Sequence, residues 1–193
     1  EDYLDAVAEA FAQVVDSKSP YTAGHSDRVT LYTDMICEEL GFSNERRRFM
    51  KRAALLHDLG KLGVSNQILD KPGKLDEAEW SQMRQHPAQS RIILSGIAAF
   101  RELAQVAGDH HEKLNGKGYP QGKTGQDISL EARIITVADI FDALTAERPY
   151  RGAMPVDKAL AIMRDDVGEG MDAACFGALE KALQRLDKAE PQA

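Results

Sequence analysis

An all-α fold, a compact multi-helix bundle closing on a buried dinuclear metal site, is what this chain predicts, and three observations carry it. Apolar residues recur every three to four positions in segment after segment, with no convincing period-two run and no internal repeat. Glycine, proline and short polar residues break the chain at helix-length intervals. All five histidines, His25, His57, His86, His110 and His111, sit in or beside these segments, one of them as His57-Asp58 and two as His110-His111-Glu112.

The first helix spans about residues 2–16, with Leu4, Val7, Phe11, Val14 and Val15 on its apolar side. Pro20 and Gly24 interrupt, and a second helix runs from about Ser26 to Leu40. Gly41 ends it, because glycine adopts the left-handed conformation of a helix terminus without strain. Ser43 caps a third helix that reaches Leu59 and stops at Gly60, so His57 and Asp58 fall in its last turn. Asp76-Glu77-Ala78-Glu79 has the capping-box pattern of a short helix. His86 precedes Pro87 and therefore stands at a helix boundary. A helical stretch over 97–111 brings the adjacent histidines to its end.

Asn115 to Gly125 holds four glycines and one proline, a turn-rich length that is more often functional than idle. An apolar helix over 129–146 then sets Asp139 and Asp142 one turn apart. Helices over 155–166, with Pro155 at the first position, and over 172–187, capped by Asp172, complete one domain of residues 1–187. Residues 188–193 are a polar tail expected to fray.

The composition narrows the function. A net charge of -7 argues against binding a nucleic acid polymer, where a basic face supplies most of the affinity. It leaves a small phosphate substrate open, since two divalent cations invert the local field. No apolar run approaches membrane-spanning length, and Glu1-Asp2-Tyr3 carries no signal sequence, so a cytoplasmic chain without a membrane segment is expected. No initiator Met opens the chain, which reads as a piece of a longer protein. Cys37 and Cys175, far apart in helical segments, read as reduced and buried.

Singly, each histidine fits a hydrogen-bonded residue near a helix end better than a metal ligand. Together they reverse that balance. Burying Asp58 beside Leu55, Leu56 and Leu59, or Asp139 between Ala138 and Ile140, is costly unless a cation or a strong hydrogen-bond network offsets it. Imidazole and carboxylate suit Fe, Mn, Co, Ni or Zn in open coordination. Two such ions sharing a solvent oxygen lower its pKa enough to give a nucleophile toward phosphorus near neutral pH.

A wider set of segments follows in fixed order: Tyr21-Thr22-Ala23-Gly24-His25-Ser26, His57-Asp58-Leu59-Gly60-Lys61, Ile68-Leu69-Asp70-Lys71-Pro72-Gly73-Lys74-Leu75 and His86-Pro87. His110-His111-Glu112, Gly118-Tyr119-Pro120, Ala138-Asp139-Ile140-Phe141-Asp142-Ala143-Leu144 and Arg148-Pro149-Tyr150-Arg151 complete it. In this order and spacing the chain resembles the HD-GYP phosphodiesterases, a branch of the HD superfamily of metal-dependent phosphohydrolases. The resemblance runs from about Tyr21 to Gly170.

It implies an HD-type bundle that hydrolyses cyclic di-GMP to pGpG, and onward to GMP, in bacterial second-messenger signalling. It implies two divalent ions, iron or manganese being commonest. His25, His57, Asp58 and Asp139 would hold one, and Asp58 would bridge to a second held by His86, His110 and His111. A glutamate four residues before the first histidine binds a third ion in some members; Tyr21 stands there, so two are expected. Lys61 would donate to the phosphate or assist the leaving oxygen beside Asp58. Tyr119, set by Pro120 on a lid-like loop, would meet the nucleotide. Arg148 and Arg151 would fork onto phosphate oxygens and Asp142 would accept from a guanine edge. The Gly118-Tyr119-Pro120 loop would also offer a protein-docking surface, and a fused N-terminal regulatory domain is expected in the parent protein. Two other readings stay open: a non-hydrolytic cyclic-dinucleotide-binding module, and an HD phosphohydrolase acting on another cyclic dinucleotide or nucleotide.

Overall fold

A computed structural model describes residues 2–189; the fraying expected over 190–193 lies outside the described residues. Among the described residues the chain forms helices, short 3-10 turns and isolated bridges but no strand, which is the all-α bundle expected. In order these are α1 (Asp2–Asp16), α2 (His25–Glu39), α3 (Asn44–Leu56), α4 (Asn66–Leu69) and α5 (Glu77–Met83). Then come α6 (His86–Ser95), α7 (Arg101–Asp109), α8 (Leu130–Thr145), α9 (Val156–Asp165) and α10 (Ala173–Ala189). Lys188 and Ala189 thus belong to the last helix rather than to a tail.

α2 packs against α3, α8 and α10, while α6 pairs with α7 and α3 touches α7. Ile36, Met50, Leu56, Ile134, Phe141 and Leu179 meet in the core. Each such side chain stabilises the fold by roughly 1.5–3 kcal/mol. Cys37 and Cys175 are free and buried, and burial pushes the Cys37 thiol up to about 12. Among the described residues no helix is long and apolar enough to cross a membrane.

The capping residues hold as read. Ser43 accepts from Arg46 N (3.2 Å), Asp76 from Glu79 N (2.8 Å) and Asp172 from Cys175 N (2.9 Å). The Glu79 carboxylate, however, takes Lys71 (2.8 Å) rather than completing a capping box. Gly41, at φ 75, closes α2 with Phe42 N bonded to Cys37 O (3.0 Å), a Schellman turn.

Three boundaries differ from expectation. α3 stops at Leu56, so His57 is its C-cap and Asp58 leads into a 3-10 turn over Leu59–Gly63. Gly60 is therefore no helix stop. A Cβ there would lie 2.0 Å from the His86 carbonyl oxygen, so glycine is what lets this turn press against α6. The stretch over 97–111 divides into a 3-10 turn at Ala98–Phe100 and α7, with His110 as C-cap. Pro155 is the N-cap of α9, not its first helical residue, because its ψ of 145 is extended.

Candidate metal centre

Five chain segments converge on one buried point. His25 opens α2, His57 and Asp58 follow α3, His86 opens α6, His110 and His111 follow α7, and Asp139 lies inside α8. Helix ends suit this task, since a side chain there departs from the axis while its backbone stays anchored. The start of α2 is set by Gly24 at φ 73 and by Asp16, whose oxygens accept from Ser26 N (3.0 Å) and Ser26 Oγ (2.8 Å).

The rings are oriented from behind. Nδ1 of His57 donates to Ala54 O (2.5 Å), that of His86 to Met83 O (2.7 Å) and that of His110 to Ala107 O (2.6 Å). In each case the acceptor is the carbonyl three residues earlier, a partner the preceding helical turn supplies. His25 Nδ1 instead meets Asp142 Oδ2 at 2.6 Å. A proton fixed on Nδ1 leaves Nε2 as a bare donor to a metal.

The Nε2 atoms face the carboxylates as two groups joined at Asp58. In one, His25 Nε2 lies 3.1 Å from both Asp58 Oδ2 and Asp139 Oδ1, and His57 Nε2 lies 3.2 and 3.4 Å from the same atoms. In the other, Asp58 Oδ1 lies 3.2 Å from His86 Nε2 and 3.4 Å from His110 Nε2, with His111 completing the set. Donors bound at about 2.1 Å to one ion are separated by about 3.0 Å in octahedral and about 3.4 Å in tetrahedral geometry. The separations of 3.1 to 3.4 Å around the two Asp58 oxygens match that spacing. Asp58 Oδ1, His86 Nε2 and His110 Nε2 are buried without a hydrogen-bond partner, close together yet misaligned for bonding. Buried polar atoms rarely remain so. The seven side chains fit two divalent cations.

Without cations the buried carboxylates hold protons on two of these rings, positive charge that bound metal would replace. Burial works against positive charge on His25 and His57, but Asp58 and Asp139, with Asp142 for His25, outweigh it; His57 is held up at about 9 and His25 is raised well above its ordinary value. Asp58 and Asp139 remain ionised against burial, both well below the usual carboxylate range. Burial instead lowers His86 and His111, leaving neutral rings of the kind a metal binds.

The ammonium of Lys61 lies 2.9 Å from Asp58 Oδ2. The ring of Tyr119 stacks on His111, with centroids 4.9 Å apart and planes 19° apart. The loop that carries it is pinned rather than free. Buried Glu112 accepts from Gln121 N (2.7 Å) and Lys123 N (2.9 Å), and Lys123 Nζ reaches Asp109 (2.8 Å). Asn115 ties the far end to Glu169 through its backbone N–H (2.9 Å). Gly118 allows the closest approach, since a Cβ there would lie 2.4 Å from Lys113 N. Tyr119 and Pro120 share a cis peptide bond.

Two expectations change. Asp142 is 1 % exposed, with Oδ1 bonded to Arg28 Nε (2.6 Å) and Oδ2 to His25, so it orients a ligand instead of offering an acceptor to guanine. Arg151 sends its fork to Leu144 O (2.8 Å) and Ala143 O (2.7 Å), and Arg148 Nε reaches Ala143 O (3.4 Å). Both arginines thus complement the carboxyl end of α8. Asp16, Arg28 and Glu112 were not legible as parts of the site, because their partners lie on other segments.

The comparisons accord with this geometry. The HD domain family matches residues 9–175, and the chain belongs to that family. Its relatives are of the HD-GYP type. The 3'3'-cGAMP-specific phosphodiesterase 3 of Vibrio cholerae is 60 % identical over 95 % of this chain and 40 % of its own length. The cyclic di-GMP phosphodiesterase response regulator RpfG of Xanthomonas campestris is 38 % identical over 92 % of this chain and 47 % of its own. The crystal structure of a cyclic GMP-AMP-specific phosphodiesterase of V. cholerae superposes with a TM-score of 0.63 at 54 % identity, covering 95 % of this chain and 42 % of that one. The chain therefore spans less than half the length of these relatives.

Proposed function

We propose that the chain is the hydrolytic domain of a 3'3'-cyclic dinucleotide phosphodiesterase working with two divalent ions, and that 3'3'-cGAMP is its favoured substrate. The observation that carries the reading is the pair of four-donor groups sharing Asp58. Divalent ions there supply Lewis-acid chemistry, activating solvent and offsetting charge on the scissile phosphate. Iron or manganese suits the imidazole and carboxylate donors. His25, His57, His86, His110, His111, Asp58 and Asp139 hold the ions. Lys61, anchored by Asp58, presents a cation to the phosphate or to the departing oxygen. Tyr119, seated on His111, meets the nucleotide at the mouth of the site. Arg148 and Arg151 hold the carboxyl end of α8, the helix that carries Asp139.

The choice of 3'3'-cGAMP is supported by the 60 % identity to a cGAMP-specific relative, against 38 % for the cyclic di-GMP enzyme. Cyclic di-GMP is the second reading, supported by the relative of 38 % identity that acts on it. A regulatory domain ahead of this one in a cytoplasmic signalling protein, and a protein partner on the exposed flank of the loop, complete the proposal. The test pairs elemental analysis of the purified protein with chromatographic identification of products from both dinucleotides. About two metal equivalents per chain and ring opening with a higher kcat/KM for 3'3'-cGAMP are expected. Binding of either dinucleotide without turnover would establish the non-hydrolytic module instead.

A further inference from the structure

We propose that Trp80 and Arg84 form a purine-binding subsite beside the metal centre, with Arg84 selecting guanine; this rests on the cyclic-dinucleotide reading above. Trp80 is the only tryptophan of the chain, and it lies on α5, a helix that buries none of its residues. An indole is costly to leave in water, yet this one is 42 % exposed and adds nothing to the core. Its place is better explained by what it faces.

Arg84 is the C-cap of α5 and stands two residues before His86. Its guanidinium lies 5.5 Å from the Trp80 ring centre and 5.8 Å from that of Tyr119. Tyr119 in turn stacks on His111. His111, Tyr119, Arg84 and Trp80 therefore make a continuous ladder leading from the metal centre to the surface. Among the described residues no carboxylate pairs with Arg84, so its N–H donors stay available.

The chemistry of this ladder is that of base recognition. An exposed indole beside a guanidinium stacks on a purine and adds a cation–π contribution. Guanine presents two adjacent acceptors, O6 and N7, which an arginine fork matches. Adenine places a donor, N6, where O6 would be, and meets the same fork with a mismatch. One base of the substrate sits between Trp80 and Arg84 while its phosphate reaches the metal centre past Tyr119. Dinucleotides with at least one guanine are then preferred, and cyclic di-AMP is a poor substrate.

The test uses the metal-loaded enzyme, Trp80→Ala and Arg84→Ala, and four substrates: 3'3'-cGAMP, cyclic di-GMP, cyclic di-AMP and the base-free diester bis(p-nitrophenyl) phosphate. Trp80→Ala is expected to lower kcat/KM for 3'3'-cGAMP roughly tenfold or more relative to the base-free diester. Arg84→Ala is expected to erase most of the preference for guanine-containing substrates over cyclic di-AMP. Independently of activity, a non-hydrolysable phosphorothioate analogue of cyclic di-GMP should quench the fluorescence of Trp80. Equal losses on all four substrates, or unaltered fluorescence at saturating analogue, would overturn the proposal. A wild type that opens cyclic dinucleotides while both variants match it overturns this proposal alone. A wild type that cleaves only the base-free diester overturns the parent reading and this one with it.

Discussion

Asp58 turns one oxygen toward His25 and His57 and the other toward His86 and His110, while Lys61 lies 2.9 Å away. Because it belongs to both donor groups, Asp58→Ala should empty both. We expect turnover to be abolished and bound metal to fall far below the wild-type stoichiometry; elemental analysis showing full occupancy would contradict the bridging role. Asp142 acts one step removed, by fixing the tautomer and direction of His25. Asp142→Asn puts an amide against both His25 and Arg28 and should weaken metal binding by about 10–100-fold while leaving the fold intact. A competition titration with a chromogenic chelator reads that loss directly. The seven candidate donors were named from the resemblance, but the orienting role of Asp142 was not. Spacing put it one turn from Asp139 on α8; only packing against α2 decided that it meets His25.

At the scale of elements, the contact between the 3-10 turn after Asp58 and the start of α6 sets the geometry of the centre. Gly60 is where they touch, and Gly60 N donates to Ser90 Oγ (2.8 Å). Gly60→Ala forces backbone apart in a packed interior, and we expect a destabilisation of roughly 1–3 kcal/mol or more together with reduced metal binding. A thermal midpoint equal to wild type would count against this contact. Between α2 and α3, Asp34 accepts from Arg47 Nε (2.8 Å) and Nη2 (3.0 Å), with Lys51 at 3.3 Å. Burial tends to raise the Asp34 carboxyl, but Arg47 and Lys51 outweigh it and hold it below its ordinary 3.8. A depressed folded-state value contributes stability that is complete above 3.8 and disappears as pH falls through the lower value. Asp34→Asn should therefore lower the thermal midpoint near neutral pH and flatten its decline in acid. An acid-side slope identical to wild type would argue that the pair adds nothing.

For the molecule as a whole, five segments meet at a point where Asp58 Oδ1, His86 Nε2 and His110 Nε2 are buried without partners, and cations would satisfy them. Ligand binding to the folded state alone adds about 2.7 kcal/mol at a hundredfold excess over Kd, which for a domain of this size is roughly 5–10 °C in thermal midpoint. Stripping metal with a chelator should lower the midpoint by that order, and adding a divalent metal salt should restore it. A scan unchanged by chelation would remove the cation from the account of stability.

Much of this was legible in the chain itself. Helical periodicity fixed the all-α class, and short polar caps such as Ser43 and Asp172 marked helix starts, because both depend on residues close in sequence. The set of carboxylate and imidazole donors was visible for a related reason: Asp58 and Asp139 sit in apolar stretches of sequence whose burial only a strong partner relieves. Of α6 only the boundary at His86-Pro87 was legible, since its apolar residues Ile92 and Ile93 are exposed and its burial falls on His86, Pro87, Ser90 and Leu94. The hold of Glu112 on the loop, the anchoring of Asp142 by Arg28 and the turning of Arg151 onto α8 were settled only by tertiary structure. Each depends on which atoms of distant segments come within about 3 Å, a distance that hydrogen bonding requires and sequence spacing does not specify.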